Sequence, residues 1–210
     1  MYQIHPSKRL KELCEHRPYQ GANPLHAKFL FIGLDANYAE SIEQQLIFSQ
    51  IIEYHQDGVL FWQKYGIHHP FLLPNYKGDG KRFHQNFAKI GFSTAHANDI
   101  SFIELLHLPT FGRNLLSLKD LSHTHLNFLY QAMFRGNAKY IFITPTILAL
   151  MRKIEIFNAL KKPISTDFPL KTLYQDEHRT VFQHLHFSNY GKFQQQMTVE
   201  AKAIFDLTVE

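Results

Sequence analysis

Cysteine is almost absent from this chain. Cys14 is the only one in 210 residues, which rules out an intrachain disulfide and argues against a cysteine-built zinc or iron–sulfur site. Long apolar runs are missing as well. No stretch approaches the roughly 20 residues needed to cross a bilayer, and the opening Met1-Tyr2-Gln3-Ile4-His5-Pro6 has no apolar core of the signal-peptide kind. The expectation is a cytoplasmic chain with no membrane partner. There is no HExxH or Cys-His spacing, no internal repeat and no low-complexity segment, so no metal site is expected. Excess charge is small too: 22 Lys and Arg against 18 Asp and Glu leave +4, which permits a polyanionic partner without requiring one.

Apolar residues make up 45% of the chain, enough for one well-filled core and too few residues for two. The 19 Phe and 10 Tyr are mostly core material, with a few free to stack on bases. The 14 histidines add positive charge below about pH 6.5 wherever they are exposed.

The chain is organised around Lys28-Phe29-Leu30-Phe31-Ile32-Gly33-Leu34-Asp35-Ala36-Asn37-Tyr38. Its apolar run reads as a buried strand, 28–34, that breaks at Gly33 into a polar tip with one carboxylate. In open α/β proteins the chemistry sits at the carboxyl ends of the strands, where a following helix points its N–H groups. The plainer reading of Asp35 is a cap for that helix.

Three further strands are predicted at 101–107, 139–144 and 180–186. Helices are predicted at Ser7 to Glu15, Ala39 to His55, Val59 to Tyr65, Lys81 to Ile90, Ser117 to Arg135, Pro145 to Lys161 and 193–207. Residues 162–179 read as loop with room for a short edge segment. Strands alternating with helices imply one α/β domain: three layers, α/β/α, around a mainly parallel four-stranded sheet. The loops after 34, 107, 144 and 186 then open on one edge.

Those loops resemble the uracil-DNA glycosylase superfamily, with a layout nearest its mismatch-specific thymine/uracil branch. Four landmarks over residues 28–195 carry the resemblance in the family's order. Gly33-Leu34-Asp35-Ala36-Asn37-Tyr38 is similar to G-Q-D-P-Y-H of the classical enzymes and G-I-N-P-G of the mismatch branch. Gly80-Lys81-Arg82-Phe83, followed by Gly91-Phe92, is similar to G-N-R-F-W and its closing glycine. Glu104-Leu105-Leu106-His107-Leu108-Pro109-Thr110 is similar to T-N-[LV]-V-x-R-P-T. His186-Phe187-Ser188-Asn189-Tyr190-Gly191 is similar to the H-P-S-P-L-S or N-P-S-G loop that grips DNA.

The resemblance implies a cofactor-free DNA glycosylase acting on single- or double-stranded DNA that contains a uracil or another damaged base. Asp35 would handle the water and the sugar cation, and His186 the departing base. Gly33, Leu34, Asn37, Tyr38 and Phe71 would shape the base pocket. Glu104 stands where the family's base-reading Asn is usual; it could accept from a ring N–H or an exocyclic amine but not donate to a carbonyl unless protonated, so it fits uracil less well than Asn and points to a different base or to none. Asn98 is the nearest Asn but lies too far upstream. Ser188, Asn189, Tyr190, Lys192, Lys81 and Arg82 would meet DNA, with Tyr190 as the wedge, and Lys77 and Arg113 could line the same edge.

Each residue also has a plain structural reading. Tyr38 and Phe71 suit packing, Glu104 a solvated strand end, His186 a bond to a backbone carbonyl, and the basic residues a solvated face. The sequence departs from the family at Ala36 and Phe187, where proline is usual, and at Ile143-Thr144-Pro145, where a glycine-containing segment is usual. The lost prolines and Glu104 favour a second reading, a catalytically divergent member that binds nucleic acid, nucleotide or protein without cleaving, while the retained Asp35, His186 and Ser188 favour the enzyme. An unrelated nucleoside hydrolase is a third.

Overall fold

A computed structural model describes residues 3–112, 117–165, 167 and 169–209. Thirteen regular elements organise the described chain: α1 (Lys8–His16), β1 (Tyr19–Gly21), β2 (Phe29–Gly33), α2 (Phe48–Gln56), α3 (Gly58–Tyr65), α4 (Lys81–Ala88), β3 (Ile100–Glu104), α5 (His123–Phe134), β4 (Tyr140–Ile143), α6 (Pro145–Met151), β5 (Lys171–Gln175), β6 (Thr180–Gln183) and α7 (Gln194–Asp206). Six short 3₁₀ turns lie between them.

The sheet has six strands in the order β1-β3-β2-β4-β6-β5 and is mixed. This corrects the four-stranded expectation. The four strands expected from the apolar runs are the central ones, and they run parallel. Each edge carries an added antiparallel strand, β1 on β3 and β5 on β6. β1 is only three residues long and follows Pro18, so it shows no apolar run to read. β5 is exposed at both ends, as a sheet edge tends to be.

Period-2 alternation divides the central strands into two chemically different faces. Leu30, Ile32, Ile103, Ile141, Ile143 and Val181 point to one side and pack with residues of α5 and α6. Phe29, Phe31, Ile100, Phe102, Tyr140 and Phe142 point to the other, against Trp62 of α3, Phe87 of α4 and Met197, Ala201 and Ile204 of α7. One face is aliphatic and the other largely aromatic, and helices cover both. Phe31 lies at the centre of the aromatic face, its ring stacked on Phe142 at 4.7 Å and on Phe102 at 5.6 Å.

Three expected helices differ from the structure. The helix predicted from Ala39 begins only at Phe48, after a 3₁₀ turn at Ile42–Gln44. Ile42 and Ile47 are both buried in a satellite cluster with Leu10, Tyr38, Phe71 and Tyr76, while Leu46 is 90% exposed. A single helix over these residues would not hold Ile42 and Ile47 on one face, so the chain kinks to bury them. The helix predicted from Ser117 divides at Leu121, where Asp120 closes a capping box with Ser117 and Ser122 caps α5. The helix predicted to Lys161 ends at Met151, and a 3₁₀ turn at Glu155–Leu160 returns Phe157 and Leu160 to the aliphatic cluster. At the amino end, α1 forms as expected, with Ser7 accepting from the Leu10 N–H.

Phe142 is fully buried beneath the aromatic face. Phe142→Ala should lower unfolding free energy by about 3–5 kcal/mol, and Leu46→Ala by less than about 0.5. Urea denaturation of both variants checks the contrast.

Candidate functional site

The parallel register sets Gly33 opposite Glu104 at the carboxyl ends of β2 and β3. The two chains then continue side by side. Leu105 N–H bonds to Gly33 O at 2.9 Å, Leu106 N–H to Leu34 O at 3.0 Å, Thr110 N–H to Ala36 O at 2.9 Å and Tyr38 N–H to Thr110 O at 2.9 Å. This lacing fixes Asp35. Thr110 Oγ1 donates to Asp35 Oδ2, and Asn37 Nδ2 donates to Thr110 Oγ1 at 2.9 Å and to Gly112 O at 3.0 Å. Asp35 Oδ1 accepts no bond among the described residues. Because the next helical turn begins at Ile42 with Ser41 before it, and α2 only at Phe48, Asp35 caps no helix.

Asp35 lies on the wall of a cavity of about 290 Å³. Gly33, Leu34, Asn37, Tyr38, Phe71, Glu104, His186 and Ser188 line it too, which brings together most of the residues singled out from the sequence. Asn98 is not among them. It is exposed in the turn before β3, at the amino end of the strand, and is removed from the site.

His186 reaches the cavity from the loop after β6. Its Nδ1 accepts the Ser188 N–H at 3.2 Å, which in the neutral ring leaves the hydrogen on Nε2. The imidazole is therefore held by a backbone N–H and not by a backbone carbonyl. Its outer edge is exposed, but the ring lies 5.3 Å from that of Phe83. Loss of water on that side lowers its pKa, and the Asp35 carboxylate pulls it the other way. Phe187 is buried against Phe31, Phe83, Phe87 and His184. Asn86 of α4 donates to its carbonyl at 2.6 Å. Nothing in the linear pattern marked Asn86 except a polar residue on an otherwise inward helix face.

Tyr38 and Phe71 are buried and line the cavity at once. Tyr38 Oη and His55 Nε2 are 2.6 Å apart, and the Phe71 ring stacks on Tyr76 at 4.1 Å. Behind them is a group of histidines that spacing in the sequence did not connect. His69 and His84 stack at 3.5 Å, nearly parallel, and His68 Nε2 lies 3.2 Å from His84 Nδ1. Burial pushes His55 down to about 4, His68 and His184 to about 3, and His69 and His84 well below their ordinary value. All five are neutral imidazoles at neutral pH. Among the described residues no group of three or more His, Cys, Asp or Glu is arranged to hold a metal ion.

Two polar atoms of the wall have no partner, Thr144 Oγ1 and His184 Nδ1, and both residues are buried. The carboxyl of Glu104 accepts and donates no hydrogen bond among the described residues. Burial, and then the charge of Asp35, raise its pKa to about 8. The carboxyl has room only because residue 33 is glycine. A Cβ there would fall 1.8 Å from Oε2. Glu104 is thus turned into the cavity and not outward as a solvated strand end.

Beside the cavity mouth, Tyr190 is 66% exposed with the Arg82 guanidinium 4.8 Å from its ring centre. Ser188 and Lys192 are exposed and Asn189 half-buried. Lys81 differs from expectation: its ammonium donates to Tyr76 O at 2.6 Å and so secures the 73–76 loop. Lys77 is exposed, and Arg113 lies outside the described residues.

These features define an α/β protein with a doubly covered mixed sheet and a cavity at the carboxyl edge of its parallel strands. No protein family matches the chain in sequence, and no curated protein does. No helix among the described residues is long and apolar enough to cross a membrane.

The titrations fix a pH dependence of stability. In the unfolded chain each of the five histidines binds a proton near pH 6.5; in the fold burial keeps them neutral well below that. Stability is therefore complete above about pH 6.5 and falls by up to about 1.4 kcal/mol per pH unit per histidine as the pH drops. Glu104 acts oppositely: its raised pKa makes stability fall as pH rises from about 4.5 to about 8. Five groups outweigh one below about pH 6.5, so Tm should peak near that pH and drop steeply on the acid side. Thermal melts across pH 4 to 9 check this, and a flat profile would contradict the neutral histidine cluster.

Proposed function

We propose that the chain is a DNA glycosylase of the uracil-DNA glycosylase type, hydrolysing the N-glycosidic bond of a base flipped out of the DNA stack. The observation that carries this reading is that Asp35 and His186, from distant parts of the sequence, share the wall of one nucleobase-sized cavity. The bond between C1′ and the base nitrogen breaks with its electron pair leaving on the base. The sugar becomes oxocarbenium-like, a water oxygen bonds to C1′, and the proton that the water gives up ends on the departed base. Asp35, held through Oδ2 by Thr110 and open at Oδ1, stabilises that cation and orients the water. The neutral His186 ring offers its Nε2–H to the base oxygen where negative charge grows.

The rim suits DNA. Ser188 and Lys192 offer a hydroxyl and a cation to phosphates, and the exposed ring of Tyr190 is the candidate for filling the vacated stack. One observation favours binding without cleavage: Ala36 and Phe187 replace the prolines of the two loops that the family uses.

Single- and double-stranded oligonucleotides carrying uracil, hypoxanthine or xanthine separate the two. Abasic sites, read by alkaline strand scission, are expected from the native chain. Asp35→Ala should reduce their formation by at least about 100-fold. Tyr190→Ala should impair duplex more than single-stranded substrate, since only the duplex has a stack to refill. Tight DNA binding with no scission from any substrate would favour the binder instead.

A further inference from the structure

Glu104 plays no part in the hydrolysis outlined above, yet it is the most unusual group in the cavity. Its carboxyl lies over Gly33 in a space that any larger residue would fill, and no N–H or O–H among the described residues donates to it. The ionisable groups around it come from four other segments. Asp35 and Tyr38 belong to the loop after β2, Tyr54 to α2, Cys14 to α1 and His125 to α5. Asp35 is the one whose charge bears on the carboxyl. Burial keeps the Tyr38 and Tyr54 hydroxyls and the Cys14 thiol uncharged. His125, its ring pushed towards neutral, bonds at 2.7 Å to the main-chain carbonyl of Glu104 and not to its carboxyl. A carboxylate in this position would be half-buried on the cavity wall beside a second carboxylate, with no counter-ion or donor among the described residues, which favours the protonated form.

We propose that Glu104 is the base-reading residue and that it reads as an uncharged carboxyl. Its O–H donates to a ring carbonyl while its C=O accepts from the adjacent ring N–H, so the base taken has a lactam edge, as uracil does. An ionised Glu104 has only acceptors. It would repel that carbonyl and suit an edge of two donors, such as guanine N1–H and its exocyclic amine. The departure of this chain from the usual Asn is then a substitution of one neutral donor–acceptor pair for another. Base reading by Glu104 rests on the glycosylase reading of the cavity, but free uracil tests it without DNA.

Carbon-13 NMR of glutamate-labelled native protein, with the Glu104 signal assigned by Glu104→Gln, gives the titration directly. The expected midpoint is near 8, moving upward when uracil is added. Uracil affinity of the native chain should fall about tenfold per pH unit above that midpoint. Glu104→Gln keeps a neutral donor and acceptor, so its affinity should change only as far as uracil itself ionises. A midpoint in the ordinary carboxyl range overturns the proposal. So do equal pH slopes in the native chain and the variant, no uracil binding at any pH, or guanine binding that draws the midpoint down. If uracil binds with the expected slope while no oligonucleotide is cleaved, base reading stands and the glycosylase reading falls.

Discussion

The parallel register between β2 and β3 is the constraint on which the cavity depends. It sets Gly33 beside Glu104, and from that pairing the two chains run on in step, through Leu105, Leu106, Thr110 and Tyr38. A one-residue slip would turn every side chain of β2 to the wrong face. It would separate the glycine from the carboxyl that occupies its open side, and it would unlace Asp35 from Thr110. The two faces of the sheet enforce the register. Leu30 and Ile32 fit an aliphatic layer, Phe29 and Phe31 an aromatic one, and the two sets are not interchangeable in a close-packed core.

The aromatic layer does more than fill volume. Phe31 and Phe102 belong both to the packed face and to the cavity wall, so the site is an opening in the core and not a groove laid on the surface. That explains why so many ionisable groups around it are neutral. His68, His69, His84 and His184 have lost water to rings and aliphatic side chains, and Glu104 has lost it on β3. Asp35 lies on the same wall, where Thr110 donates to it. A cavity lined by a neutral acid and neutral imidazoles is a medium in which small differences in hydrogen-bonding edge decide what binds.

The loops that line the cavity are held by tertiary contacts. Proline stiffens a loop by fixing φ. Here the loop after β6 is fixed instead by burying Phe187 among four aromatic rings and by the Asn86 amide on its carbonyl. The loop after β2 is fixed by backbone bonds to residues 105–110. In both cases a tertiary contact does what a proline would do locally.

The sequence by itself determined the four central strands, most helix positions, and the approach of Asp35, Tyr38, Glu104 and His186 to one sheet edge, because apolar period and glycine breaks are local signals. It misplaced the start of α2 and the division before α5, since burial of Ile42 and Ile47 overrode helical spacing. It also gave Asn98 a place that the direction of β3 denies. Of the edge strands, β5 falls in the stretch read as loop with room for a short edge segment, and β1 was too short and too polar to register as an apolar run. Only the tertiary structure decided that Gly33 exists to admit Glu104, that Asn86 holds the His186 loop, and that scattered histidines form one neutral cluster. Those facts depend on which residues lose water together, and solvent exclusion is a property of packed neighbours far apart in the chain.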